Sequence, residues 1–293
     1  QLGRRVLEPS EICVAWFAPI YDPSGYADEA RHFILELQAK GFRLAVREIG
    51  RHSEQFRQQL DDTHRAVLDE LLSRQPVEPF ISLVHFPAYA LQRLPEAIYN
   101  IGRVVFETDG LPPDWVTKCN QMDEIWVASD FNLETFRRAG VTARLTKVPE
   151  GVDTDHFRPG CPPLELPDAR GFVFLSIFEW IYRKGWDVLL RAWAQAFKPD
   201  DNVSLVLRTY PINAVDQADA KAEIERRIDA FLTHELGLSR HQVAPILVLG
   251  KQIAERDMPR LYAAARAYVA ASRGEGWGRP HMEAMACGLP VIA

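Results

Sequence analysis

Short apolar runs alternate with segments of helical period along the whole chain. The first run, residues 12–17, is apolar and partly β-branched and reads as a buried strand. A loop, Asp22-Pro23-Ser24-Gly25, follows it, and a helical pattern then runs over 26–40 until Gly41 stops it. Further strands are expected at 44–49, 80–86, 103–107, 124–129 and 145–148, with the clearest helices at about 53–74 and 131–139. The stretch containing Pro159, Gly160, Pro162, Pro163 and Pro167 has no such period and is the best linker candidate. The alternation then restarts. Strands are expected at 172–177, 203–209, 246–249, 268–272 and 290–293, and helices at about 186–197, 218–236, 256–266 and 280–287.

Repeated strand–helix units of this length imply an α/β protein with parallel sheets covered on both faces. Two such series predict two Rossmann-like domains, 1–158 and 171–293, joined by a linker at 159–170. In such sheets ligands sit beyond the carboxyl ends of the strands. The loops starting at Asp22, Phe178 and Arg273 occupy such ends, and a cleft between the two domains would gather them.

Composition narrows the class without naming it. The chain has 293 residues, enough for two domains, and is 47% apolar and 25% charged, a globular balance. Its net charge of −6 argues against a general nucleic-acid binder. Cys13, Cys119, Cys161 and Cys287 are scattered, without the spacing of a zinc site or a disulfide scaffold. No apolar run approaches the roughly 18 residues of a membrane helix, and no signal peptide is visible. These features predict a cytoplasmic protein with reduced thiols, with peripheral contact at the cytoplasmic face of a membrane left open. The chain starts at Gln1 and stops at Val291-Ile292-Ala293, inside an expected strand. A fragment of a longer polypeptide, with its C-terminal domain incomplete, is the expectation.

The densest chemistry lies near the C-terminus. Ser272-Arg273-Gly274-Glu275-Gly276-Trp277-Gly278-Arg279-Pro280 leads from a strand through a glycine loop into a helix that carries Glu283 and stops at Gly288. Pro280 suits the first helical turn. The helix start offers free N–H groups and partial positive charge to an anion, typically a phosphate. Glu275 and Glu283 can accept hydrogen bonds from hydroxyls nearby. A phosphate site flanked by hydroxyl acceptors suggests a nucleotide-sugar.

These residues resemble the retaining glycosyltransferases of family 4, which adopt the two-domain GT-B fold. Residues 274–293 look like that family's donor motif, two glutamates separated by seven residues and followed by Ala-Met-Ala-Cys-Gly-Leu-Pro-Val-Ile-Ala. Arg183-Lys184-Gly185-Trp186-Asp187 is similar to its basic pair before the first donor-domain helix. Glu150-Gly151-Val152-Asp153 with Phe157-Arg158-Pro159 resembles its interdomain signature. Trp126-Val-Ala-Ser-Asp-Phe131 and Met258-Pro-Arg-Leu-Tyr262 also fit, in the family's order.

The resemblance implies transfer of a sugar from a nucleotide diphosphate donor to an acceptor hydroxyl with retained configuration, needing no cofactor and no metal. The acceptor would be a glycan, a lipid-linked glycan or a small molecule. By the same resemblance Glu283 would accept from the ribose hydroxyls. Glu275 would face the donor sugar, with the amides of Gly276, Trp277 and Gly278 close by. Lys184 would neutralise the departing diphosphate, and Gly25 would let the first loop approach it. His85 matches a histidine near the reacting sugar. One position departs from the family: Glu179 stands five residues before Lys184, where an arginine is common, so Arg183 or Arg208 would supply that charge.

Other readings attach to the same residues. Gly274-x-Gly276-x-Gly278 superficially matches a dinucleotide fingerprint but lacks its last glycine. Asp153-Thr154-Asp155 has the spacing of a metal-binding acidic motif of single-domain GT-A transferases. A nucleotide-sugar-binding module without turnover is the non-enzymatic alternative. Trp186 and Trp193 are expected in the core, and His281 on a helix surface.

Overall fold

The computed structural model describes residues 8–211, 217–250 and 253–293. The chain divides into two compact units, Gln1–Glu150 and Gly151–Ala293. This boundary falls eight residues before the expected one. Residues 159–170, expected as a linker, lie in the second unit, where Leu164, Leu166 and Ala169 pack against its core.

The first unit is built on six strands, β1 (Cys13–Ala18), β2 (Arg43–Glu48), β3 (Phe80–His85), β4 (Tyr99–Arg103), β5 (Glu124–Val127) and β6 (Arg144–Lys147). Every pairing is parallel, in the order β2-β1-β3-β4-β5-β6. Its helices are α1 (Gly25–Ala39), α2 (Glu54–Arg57), α3 (Asp62–Ser73), α4 (Pro113–Cys119) and α5 (Asp130–Arg138). Ser24 starts α1 by accepting the Ala27 amide at 3.4 Å, the usual service of an N-cap serine. Trp16, Ile34, Leu68 and Leu83 lie in one apolar cluster, and Val84, Ile125, Val127 and Phe136 in another.

The second unit holds five parallel strands, β7 (Phe172–Glu179), β8 (Val203–Tyr210), β9 (Ile246–Val248), β10 (Ala267–Val269) and β11 (Val291–Ile292), in the order β11-β10-β7-β8-β9. Its helices are α6 (Trp186–Ala196), α7 (Gln217–Leu236), α8 (Met258–Ala263) and α9 (Arg279–Ala286). The period of two is visible in β7. Val173, Leu175 and Ile177 enter one apolar cluster, while Phe174 and Phe178 pack with the other. Trp193 is in the core, as expected, and Trp186 packs against it, its ring stacked on Trp180 at 4.9 Å.

Four elements differ from expectation. The helix expected over 53–74 is two helices, because Asp61 accepts the amides of Thr63 and His64 and so caps a new start. The fourth strand is Tyr99–Arg103 rather than 103–107. The Tyr26 hydroxyl takes both the amide and the carbonyl of Val105, at 3.1 and 2.6 Å, ending the ladder there. The helix expected over 256–266 is shortened to α8 and preceded by a tight turn at Glu255–Asp257. Helix α4 was not anticipated, although its Pro112-Pro113 start is a recognisable signal. Among the described residues, no helix is long and apolar enough to cross a membrane.

Candidate active site

In the second unit the connection leaving β7 runs to β8 on one side, and that leaving β10 runs to β11 on the other. Beyond the carboxyl ends of β7 and β10 lies a topological switch point, the place where parallel sheets form ligand crevices. The two loops that meet there, 180–185 and 270–278, touch through their backbones. Gly185 has φ +65°, and a Cβ on it would stand 1.7 Å from the Ala271 carbonyl oxygen. Only glycine fits on both counts.

Side chains fasten the same two loops. The Arg273 amide donates to the Arg183 carbonyl at 2.8 Å. Arg183 Nη1 returns a bond to the Gly274 carbonyl at 2.7 Å. The Arg273 guanidinium lies 3.8 Å from the centre of the Tyr182 ring and forks onto Asp187, at 2.8 and 2.7 Å. A bidentate pair of this kind fixes geometry as well as charge.

The outcome is a charged constellation. Lys184 Nζ donates to both oxygens of Glu275 at 2.7 Å, and the Ser272 hydroxyl donates to Oε1 at 2.6 Å. Arg183 Nη1 stands 3.7 Å from Glu275 Oε2. Burial raises the Glu275 carboxyl, but Lys184, Ser272 and Arg183 more than offset it and hold it below the usual carboxylate range. The loop continues through Gly276, Trp277, whose indole N–H faces Met282 Sδ at 3.4 Å, and Gly278, which precedes the first turn of α9. Glu283 lies in α9, 9% exposed. Its Oε2 accepts the Tyr262 hydroxyl at 2.7 Å.

Arg208, in β8 opposite Ile177, is an electrostatic neighbour of the Tyr262 phenol. Glu179 ends β7 opposite Tyr210. His281 is not the plain surface residue expected. It packs edge-on to Tyr268 at 5.2 Å, and burial lowers its pKa, keeping the ring neutral near pH 7. Asp153 Oδ1 accepts the amides of Asp155 and His156 at 2.9 and 3.0 Å, so that acidic pair closes its own turn.

The switch point of the first sheet lies between β1 and β3. Gly25 opens α1 just after the β1 loop. His85 ends β3 with a fully buried side chain, its Nε2 at 2.9 Å from Glu29 Oε2. Arg103 Nε donates to Glu29 Oε1 at 2.9 Å, with a second contact from Nη2, and Arg103 Nη1 donates to the Val148 carbonyl at 2.6 Å. Burial raises the Glu29 carboxyl, while His85 and Arg103 together bring it below its ordinary value. His85 is thus enclosed in a charge network of Glu29 and Arg103.

Residues 169–293 match the family described as "Glycosyl transferases group 1". The match covers the second unit from just before β7 onward. Over 193 residues it is 27% identical to a GDP-mannose-dependent alpha-(1-6)-phosphatidylinositol monomannoside mannosyltransferase of Mycolicibacterium smegmatis, covering 59% of this chain and 44% of that one. Over 158 residues it is 30% identical to D-inositol 3-phosphate glycosyltransferase 2 of Catenulispora acidiphila, covering 51% and 34%. The chain therefore spans less than half the length of these curated relatives. Sucrose-phosphate synthase from Thermosynechococcus elongatus has a similar structure, with TM-score 0.65 at 19% identity over 96% of this chain and 81% of that one. The fold is GT-B, with two parallel α/β sheets.

Within the matched region the second sheet gathers Arg183, Lys184, Glu275, Gly276, Trp277, Gly278 and Glu283 on the β7 and β10 loops and the helix behind them. Ser272, Asp187, Arg273 and Tyr262 were not among the sequence candidates. Their partners lie between 3 and 91 residues away, and the long separations leave no trace in local pattern. Tyr262 and Asp187 had a signal, since each falls in a motif that the resemblance already covered.

Proposed function

We propose that the second unit binds a nucleoside diphosphate sugar, and that the whole protein transfers its sugar to an acceptor hydroxyl with retention. The observation that carries this reading is the Lys184–Glu275 pair at the switch point, directly ahead of α9. It sets a phosphate-seeking ammonium beside a hydroxyl-seeking carboxylate at a helix N-terminus. The match of residues 169–293 to the group 1 glycosyl transferase family supports the same reading. The acceptor would be a glycan, a lipid-linked glycan or a small molecule, and the relative from Mycolicibacterium smegmatis makes GDP-mannose the first donor to test.

In this mechanism Glu283 accepts from the ribose hydroxyls and Glu275 from the sugar. Lys184, Arg183 and the first amides of α9 face the diphosphate. The bond from the anomeric carbon to the phosphate oxygen breaks as the bond to the acceptor oxygen forms, on the same face. The departing phosphate takes the acceptor's proton, so no protein base is required. Positive charge aimed at a developing oxyanion is often the largest catalytic contribution, each donor being worth about 10²–10³ in rate. Unlike glycoside hydrolysis, the step needs no acid–base carboxylate pair.

The test is a panel of GDP-, UDP- and ADP-sugars offered to the full-length protein, with release of nucleotide and the anomeric configuration of the product both read. Transfer from one donor with retention is the expected result. Donor binding without transfer or hydrolysis would instead support a binding module, the reading to which the carboxylate of Glu179 at the end of β7 lends weight.

A further inference from the structure

We propose that Tyr262 makes this site selective for the ribo form of its nucleotide by positioning Glu283, an inference that rests on the ribose reading of Glu283 above. Tyr262 stands on α8 and is 1% exposed. Phe157 packs edge-on to its ring at 6.1 Å, and the Tyr268 ring lies tilted against it at 6.4 Å. Its hydroxyl has a fixed direction, donating to Glu283 Oε2 at 2.7 Å. Burial, and then the charge of Glu283, hold the phenol well above its ordinary pKa, so it stays a proton donor across the physiological range.

The consequence is geometric. A carboxylate offers about four acceptor positions, and the phenol uses one of them. Recognition of two adjacent hydroxyls needs two acceptor positions in a fixed plane, and so requires that the carboxylate be held still. A glutamate has three rotatable bonds, and a bond from a buried, packed donor removes the freedom that would otherwise blur the pair of acceptors. Tyr262 therefore touches no substrate. It acts from behind, through Glu283, and what it controls is recognition of the ribose diol rather than of base or phosphate.

The experiment is calorimetric titration of the full chain with GDP and 2′,3′-dideoxy-GDP, with the uridine and adenosine pairs in parallel. The proteins are wild type, Tyr262→Phe, Glu283→Gln and the double variant. Wild type should prefer the ribo form. Tyr262→Phe should lower ribonucleotide affinity about five- to tenfold, as for a lost hydrogen bond of ordinary strength, while dideoxy affinity stays unchanged. In the Glu283→Gln background Tyr262→Phe should alter discrimination no further. The double variant leaves no buried charge facing a phenyl ring, so this comparison holds even where Tyr262→Phe alone fails to fold. An equal loss for both nucleotides, full discrimination in Tyr262→Phe, or a further loss in the double variant would each overturn the proposal. Wild type binding both forms equally would contradict the ribose role of Glu283 itself.

Discussion

Lys184 shows how one side chain can serve two partners. Its ammonium is held by both oxygens of Glu275, while the helix behind the pair attracts anions. An arriving diphosphate would share that ammonium without moving it far. Replacing Lys184 by Ala should lower the turnover of the full-length protein at least about tenfold, with kcat affected more than KM. Steady-state kinetics would check this, and an unaltered kcat would remove Lys184 from leaving-group stabilisation. Glu275 and Glu283 could be singled out in the sequence because the glycine loop and its helix are contiguous, whereas Lys184, 91 residues away, was singled out through a family resemblance. The need for glycine at 185 was not legible, because the atom it must avoid belongs to Ala271, 86 positions on.

At the scale of elements, the two loops beyond β7 and β10 behave as one unit because Arg273 and Asp187 join them. Both side chains are partly exposed, at 33% and 22%, so solvent screening limits the pair's worth despite its bidentate form. Asp187→Asn should cost about 1 kcal/mol in urea denaturation and loosen nucleotide binding. The charge-reversed pair, Asp187→Arg with Arg273→Asp, should regain part of both. Recovery of neither would mean that the pair does not hold the loops. Strand periodicity was legible wherever β-branched and aromatic residues alternate, as in β1, β7 and β8. It failed at β4, where the Tyr26 hydroxyl, 79 residues from Val105, decides where the strand ends. It failed again at 53–74, where one aspartate restarts a helix inside a continuous apolar period.

Over the whole chain, each unit keeps a depressed carboxylate close to its own switch point: Glu29 beside His85 and Arg103, and Glu275 beside Lys184. A folded-state pKa below the unfolded value of about 4.3 contributes stability above that pH, and the contribution is lost as pH falls through the folded pKa. Stability should therefore be steady near neutrality and decline below about pH 4.3. Glu29→Gln would leave Arg103 buried against a neutral group and should cost about 3–5 kcal/mol at pH 7. Denaturant titrations of both proteins at pH 7 and pH 4 would show this, and an undiminished Glu29→Gln protein would refute it. The α/β class was readable from alternation alone. The Glu29–His85–Arg103 network was not, since its members come from three separate elements and its charges are legible only once the sheet has brought them together.

The central claim is that the loops of the second unit, with Glu283, grip a nucleoside diphosphate. Isothermal titration of GDP, UDP and ADP into the chain and into Glu283→Ala tests it most directly. One nucleotide should bind the chain, and its affinity for Glu283→Ala should be weaker by about 1–3 kcal/mol. Equal affinity in the two proteins, or no binding of any of the three, would contradict the account.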